Sequence, residues 1–254
     1  MANRKDFIAG IVHPDNIEDK VFIIDADTLL YYASWTGKDE EGNKKPEYTE
    51  EEYPIAVDVL NNTLLDIYSC IEEYYNITDV YICVKGKNNF RKEIYEDYKA
   101  NRPPSLPIID YLLQHLVDNH NAIVSDGYES DDVVYTLSKK MDHKAIICCV
   151  DRDLYQIPSL FFDYKKKTWK IVTEEEAKYH LACKVMTGDS GDNVNLSPGI
   201  GEKYALKNLQ IGMTDYQYIK TIFKGYLKAW KGDAKKAKES MKLTYKLLKL
   251  YEVI

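Results

Sequence analysis

Three short, uninterrupted apolar runs constrain the fold of this chain most: residues 21–24 (VFII), 80–84 (VYICV) and 145–150 (AIICCV). A strand with one face in water alternates apolar and polar residues, whereas a strand covered on both faces need not. The stretches between them repeat at helical spacing. Ile55, Val59, Thr63, Leu64, Ile67, Cys70 and Ile71 form one such stripe, ending near Asn76. A helix over residues 107–117 follows, then a strand at 122–125 and a helix carrying Val133, Val134 and Leu137. This alternation, sustained to about residue 150, predicts an α/β fold with a central, mostly parallel sheet flanked by helices. Residues 160–164 and 169–172, on either side of Lys165-Lys166-Lys167-Thr168, read as a hairpin. Thr173 and Glu176 then form a capping box for a helix running into Met186. Residues 1–20 are polar and show no pattern, and residues 37–52 read as a charged loop.

Carboxylates gather where these elements end. Asp25 closes the first run. Asp151 and Asp153 follow a later one, and their i, i+2 spacing puts both on one side of a continuing strand. Glu129, Asp131 and Asp132 stand where a helix begins, near its positive end. In an open parallel sheet the carboxyl ends of the strands share one edge, and ligands bind there. A single aspartate at such a place is usually a cap or a turn residue; the repetition is what points to a site. Packed together, each pair at about 5 Å and an effective dielectric of about 20 costs roughly 3 kcal/mol. Hard divalent cations relieve that repulsion, and Mg²⁺ suits an all-oxygen set. Two such ions can activate a water and stabilise the leaving oxygen of a phosphodiester.

Residues 186–201, MTGDSGDNVNLSPGIG, add a second signal. Asp189 and Asp192 lie three residues apart, on one side of a helix end. Ser197-Pro198-Gly199-Ile200-Gly201 breaks any regular element, and a helical pattern resumes at Tyr204, Ala205, Leu206 and Leu209. A glycine turn opening a helix exposes backbone N–H groups that can hold a phosphate. The plainer alternative is an acidic loop followed by a helix cap. Residues 85–102, KGKNNFRKEIYEDYKANR, are basic with Phe90, Tyr95 and Tyr98 interleaved, and Pro103-Pro104 stops them.

The net charge of −7 is unevenly spread. From Glu202 onward there are twelve lysines and five acids, a net +7, which leaves −14 on the rest. A basic C-terminal region beside an acidic body fits phosphate binding in one place and metal binding in another; a lysine face on solvated helices gives the same count. The five cysteines are scattered without a C-x-x-C and read as buried thiols of a reducing compartment. The five histidines lack zinc spacing. No run is long enough to cross a bilayer and no signal peptide is recognisable, so a cytoplasmic protein is expected.

The order of these motifs resembles the 5′ nucleases: phage 5′–3′ exonucleases, flap endonucleases and the 5′-nuclease domain of bacterial DNA polymerases. FIIDADTLLYYA is similar to the first strand with its metal aspartate, here Asp25. FRKEIYEDYKANRPP resembles the basic helical arch, with Tyr98, Lys99 and Arg102 on its recurrent residues. YESDDV, VDRDLYQI and GDSGDN…SPGIGEK resemble the remaining acidic motifs and the glycine turn of a helix–three-turn–helix element. The resemblance implies a metal-dependent hydrolase cutting phosphodiesters near the 5′ end of DNA, as 5′–3′ exonuclease or flap endonuclease, in replication or repair, in a bacterial or phage-infected cell. It implies an α/β nuclease core over residues 1–185, with an arch at 85–107, and a helical DNA-binding region at 186–254.

The site residues follow from the same resemblance. Asp25, Glu129, Asp131 and Asp132 would hold one Mg²⁺ directly or through water, and Asp151, Asp153, Asp189 and Asp192 the second, with Mn²⁺ as a substitute. Lys99 and Arg102 would contact the scissile phosphate. Tyr98 would stack on a base, or pack as an ordinary aromatic. Ser197, Gly199, Ile200, Gly201 and Lys203 would grip duplex backbone, with K⁺ at the turn carbonyls. The expected partners are DNA 5′ ends, flaps and RNA–DNA primer junctions, and the chain would act as a monomer. Primer-removing ribonuclease and a branched-DNA binder with weak catalysis are the alternatives. One position departs from the pattern: Val84 stands where the family carries a strand-end aspartate. Asp27, two residues after Asp25, either replaces that ligand or caps the helix beginning near Thr28.

Overall fold

The computed structural model describes residues 19–37, 41, 47–142 and 144–253. Residues 1–18 of the opening segment and half of the charged loop lie outside them. The chain divides into two compact units. The first comprises Met1–Lys87, Pro104–Arg152 and Ser159–Ile171; the second comprises Asn88–Pro103, Asp153–Pro158 and Val172–Ile254. The division therefore assigns the 88–103 segment and the whole 174–187 helix to the C-terminal unit, where the sequence placed both in the nuclease core.

The first unit is built on a sheet of β1 (Asp19–Asp25), β2 (Asn76–Val84), β3 (Ile123–Val124), β4 (Ile146–Cys148), β5 (Ser159–Asp163) and β6 (Thr168–Val172). The strand order is β3-β2-β1-β4-β5-β6. The pairs β1–β2, β1–β4, β2–β3 and β4–β5 are parallel, as the unbroken apolar runs require. Only four residues join β5 to its neighbour β6, too few for a crossover, so that pair is the expected hairpin. The helices of this unit are α1 (Asp27–Ala33), α2 (Tyr53–Glu72), α4 (Pro107–His120) and α5 (Ser130–Lys140). Those of the second unit are α3 (Phe90–Ile94), α6 (Glu174–Thr187), α7 (Glu202–Asn208), α8 (Asp215–Ala229) and α9 (Ala234–Leu248). Among the described residues no helix is long and apolar enough to cross a membrane.

Phe22, Ile24, Ile82 and Val84 point from the sheet into a core shared with Leu60, Leu64 and Ile67 of α2 and Ile109, Leu112 and Leu116 of α4. Ile23 and Ile147, on the other face, are equally buried. Each such side chain contributes about 1.5–3 kcal/mol on leaving water. Three boundaries differ from the sequence reading. Helix α2 stops at Glu72, because Asn76 already pairs with Asp19 at the start of a longer β2. Strand β4 ends at Cys148, and a 3₁₀ turn runs from Arg152 to Gln156. Asp151 and Asp153 thus do not share one side of a strand; period-two geometry does not extend to them.

In the second unit α6 starts with the predicted capping box: Thr173 N donates to Glu176 Oε2 (2.9 Å) and Glu176 N to Thr173 Oγ1 (3.2 Å). Val185, Met186, Ile200, Ala205, Ile222 and Tyr226 make its core. The 85–107 segment, expected as a helical arch, carries one short helix before Pro107. Its helix is the five-residue α3, and Tyr95 is already extended. Arg91 of α3 is buried, donating through Nε to Leu247 O (2.8 Å) and through an Nη to Lys249 O (2.9 Å). Those bonds and the Phe90–Tyr251 ring contact anchor the segment to the end of α9.

Candidate metal centres

Strand β1 is where the sheet changes direction of growth: the chain first builds β2 and β3 on one side, then β4 and β5 on the other. The carboxyl end of such a strand opens a crevice, and Asp25 occupies it, 2% exposed. Burial, then the charges of Asp27 and Asp151, push its carboxyl up to about 8. Ser130 Oγ at the start of α5 lies 3.2 Å from Asp25 Oδ1 and 3.1 Å from Asp27 Oδ2, bridging the two. Asp27 is the first residue of α1 rather than the residue before it. Its Oδ1 accepts from the Lys85 backbone N–H (2.8 Å), pinning the chain just after β2.

At the N-terminus of α5, Glu129 is the cap residue, and Asp132 accepts from the Glu129 N–H (3.1 Å) at zero exposure. One oxygen of Asp132, expected at a metal, is therefore committed to the helix start. Asp131 is half-buried, and its charge helps push up the buried Cys83 thiol, after burial itself and the charges of Asp25 and Asp27. Cys83 is the residue paired with Asp25 across β1 and β2. Val84 packs instead in the core with Ala26 and Leu30, so its side chain leaves the sheet on the opposite face from Asp25. Of the cysteines, Cys83, Cys148 and Cys149 are buried as expected, while Cys70 and Cys183 are only half-buried.

Three carboxylates converge in the second unit. Asp153, Asp189 and Asp192 each offer an oxygen within 4.8 Å of the others, the one such group among the described residues. Asp151, which the sequence grouped with them, is close enough to Asp25 for its charge to act there. The loop that carries Asp189 and Asp192 is tightly built. Asp189 Oδ1 accepts from the N–H groups of Gly191 (2.8 Å) and Asp192 (3.1 Å), and a small antiparallel bridge joins Asp189 to Val194. Gly188 leads into it at φ 74°, and a Cβ there would meet Val194 O at 2.2 Å.

Each carboxylate of this group has a cation. Lys184, in the last turn of α6, pairs with Asp153 and with Asp189 Oδ2 (2.8 Å). Burial works to raise the Asp189 carboxyl, but Lys184 and the two loop N–H groups outweigh it and hold it below its ordinary value. Burial likewise opposes the Lys184 ammonium, and the two aspartates overcome that and keep it charged. Arg102 donates to Asp192 Oδ1 (2.6 Å), with Lys99 Nζ at 3.8 Å from the same oxygen. Tyr98 OH donates to Asp192 Oδ2 (2.8 Å). The Tyr98 ring is 1% exposed, packed with Val194, Leu247 and Leu248. This overturns base stacking for Tyr98: its ring has no open face.

The glycine turn is a type II turn in outline, with Pro198 and Gly199 (φ 77°) central and Ile200 N donating to Ser197 O (3.0 Å). Ser197 is buried, its hydroxyl donating to Met186 O (2.9 Å), and the Ile200 side chain lies in the core. These two side chains hold the turn to α6 and do not face a ligand. Gly199, Gly201 and Lys203 are exposed.

Sequence reasoning missed Lys184, Ser130 and an aromatic group. The signal for Lys184 was a lone lysine in the last turn of a capped helix, a turn before the acidic loop. Tyr31, Tyr32 and Trp35 are exposed just after Asp27, with Lys85 over the Tyr31 ring (4.9 Å) and Lys165 over Tyr32 (5.9 Å). Their signal was the YYASW run, three large aromatics in five residues just after the acidic strand end.

Residues 20–187 match the family described as 5′-3′ exonuclease, N-terminal resolvase-like domain. Flap endonuclease Xni of Shewanella pealeana is 29% identical over 181 residues, covering 64% of this chain and 69% of that protein. DNA polymerase I of Thermus thermophilus is 37% identical over 138 residues, covering 48% of this chain and 16% of the polymerase. The solved structure of T5 5′-exonuclease with bound divalent metal ions (zinc) matches with a TM-score of 0.53 at 16% identity, over 91% of this chain and 100% of that one, a likeness of fold. With the match running from Asp25 through Asp153 to Lys184, the chain belongs to the 5′–3′ exonuclease family of 5′ nucleases.

Proposed function

We propose that the protein hydrolyses phosphodiester bonds near DNA 5′ ends with divalent metal ions, as a 5′–3′ exonuclease or flap endonuclease in replication or repair, acting as a monomer in the cytoplasm of a bacterial or phage-infected cell. The observation that carries the reading is the convergence of Asp153, Asp189 and Asp192 within 4.8 Å beside Arg102. This set of hard oxygens, with no thiolate or imidazole, fits Mg²⁺ or Mn²⁺. Asp25, with Asp27, Glu129, Asp131 and Asp151, makes a looser gathering of carboxylates in the first unit, offered as the place of the other ion. Divalent ions bound at such groups supply a water activated near neutral pH and a Lewis acid for the leaving oxygen.

The protein's own residues do the rest. Arg102 and Lys99 neutralise Asp192 and supply fixed positive charge for a phosphate. Tyr31, Tyr32 and Trp35, with Lys85 and Lys165, make a stacking platform for unpaired bases. Gly199, Gly201 and Lys203 offer backbone and charge to duplex phosphates, and the turn carbonyls offer oxygens to K⁺. DNA flaps and primer junctions are the substrates this arrangement suits.

The test is product mapping on a 5′-labelled DNA flap and the matching RNA–DNA hybrid, with Mg²⁺ and with EDTA. Asp153→Asn and Asp192→Asn should lower turnover by about 100-fold or more while DNA affinity stays near wild type. Cleavage that persists in EDTA, or wild-type turnover of both variants at limiting Mg²⁺, would overturn the reading.

A further inference from the structure

We propose that Lys184 is a resident counter-ion of the Asp153–Asp189–Asp192 cluster, holding it assembled without metal and competing with the divalent cation for it. The inference rests on the metal reading above and concerns what the cation must displace.

The loop fixes which oxygens are available. Asp189 Oδ1 is taken by the N–H groups of Gly191 and Asp192, so Oδ2 is the oxygen left to face a cation. Lys184 Nζ is 2.8 Å from that oxygen and also pairs with Asp153. It thus lies between two of the three carboxylates that a cation would bridge. The third, Asp192, is held separately by Arg102 and Tyr98. An ammonium in contact with Asp153 and Asp189 Oδ2 fills the space next to a metal's coordination sphere and adds a like charge there. Both cations cannot keep the same two oxygens.

The position suits an exchangeable ion. Lys184 sits at the C-terminal end of α6, where the helix dipole favours a cation. An ammonium is a compact, strongly hydrated charge on a flexible stem, able to withdraw where a guanidinium fork would stay. Removing its charge should therefore do two opposite things. Metal-free, the aspartates repel and the loop loosens. With metal, the competitor is gone and affinity rises.

The experiment titrates Mn²⁺ into the metal-free 254-residue chain by isothermal calorimetry, beside far-UV circular dichroism and thermal melts. Asp192→Asn marks the site: the wild-type Mn²⁺ event that this variant loses is the one followed. Lys184→Met should bind Mn²⁺ there about tenfold more tightly, within the usual range of coupling between two ligands, and melt lower without metal, with the loss recovered on Mn²⁺. Lys184→Arg, which keeps the charge, should bind no more tightly than wild type. Where Lys184→Met does not fold, Lys184→Gln carries the same expectation. Equal or weaker Mn²⁺ binding by a folded, uncharged variant overturns the counter-ion role and leaves the metal site standing. Absence of any Asp192-dependent Mn²⁺ event in wild type overturns the metal reading, and this inference with it.

Discussion

Asp25 keeps its proton over a range where an exposed aspartate has lost it. Its carboxyl is pushed up to about 8 by burial, then by Asp27 and Asp151. Between pH 4 and about 8 the folded state holds a proton that the unfolded chain has released. Metal-free stability from this group therefore falls as pH rises across that window and is flat on either side. Asp25→Asn, a mimic of the protonated form, should melt with wild type near pH 4 and above it near pH 8. Melting curves in EDTA at several pH values test this, and parallel pH profiles for the two proteins would sink it. Val84 is the other informative residue. It stands where the family carries a strand-end aspartate, but its side chain is buried in the core away from Asp25. Val84→Asp should cost about 3 kcal/mol or more by burying a carboxyl without a partner and leave the Mg²⁺ requirement unimproved. Urea unfolding and a Mg²⁺ titration of cleavage read the two effects, and improved metal use would contradict the placement.

The loop from Gly188 to Val194 is the element that sets the second carboxylate group. Gly188→Ala forces a Cβ into Val194 O at a positive φ, so it should break the Asp189–Val194 bridge and release Asp189 and Asp192. The expected loss is about 1–3 kcal/mol, with weaker Mn²⁺ binding; unchanged calorimetry and melting would show that the bridge is not needed. The motif around this loop was legible because its signal is local: two aspartates, glycines at turns, a proline. What the sequence could not show is who meets those aspartates. Lys184 reaches Asp153 across 31 positions of chain, and Tyr98 is buried by Leu247 and Leu248 from the far end. Tyr98 in a run of basic residues looks like a stacking residue until that distant packing is known. Asp151 and Asp153 misled for a local reason: the strand stops at Cys148 and a 3₁₀ turn begins at Arg152, so the period-two rule of a strand does not reach either residue.

For the whole molecule, the charge asymmetry makes a prediction about DNA. The twelve lysines after Gly201 should give binding a steep salt dependence. Gly201→Val, whose side chain enters open space beside the turn, should weaken duplex binding and flatten that dependence. Fluorescence anisotropy at several salt concentrations measures both; equal slopes would take the turn out of the DNA footprint. The parallel sheet was legible because both faces of its strands are covered, leaving unbroken apolar runs. The division into units was not, because the second unit is assembled from three separate stretches of chain. A helical arch was expected where the chain makes one short helix and a buried arginine, whose partners, Leu247 O and Lys249 O, are backbone groups with no sequence signature.

That buried arginine also sets an order of events. Its hydrogen bond to Leu247 O spans 156 positions. A chain emerging from the ribosome makes residues 88–103 long before their partners exist, so Arg91 and Tyr98 wait, solvated, while the sheet of the first unit can already close. The packing that buries Tyr98 beside Asp192 is completed only when residues 247–248 have been made, so the sheet of the first unit can close before Tyr98 is locked onto that carboxylate.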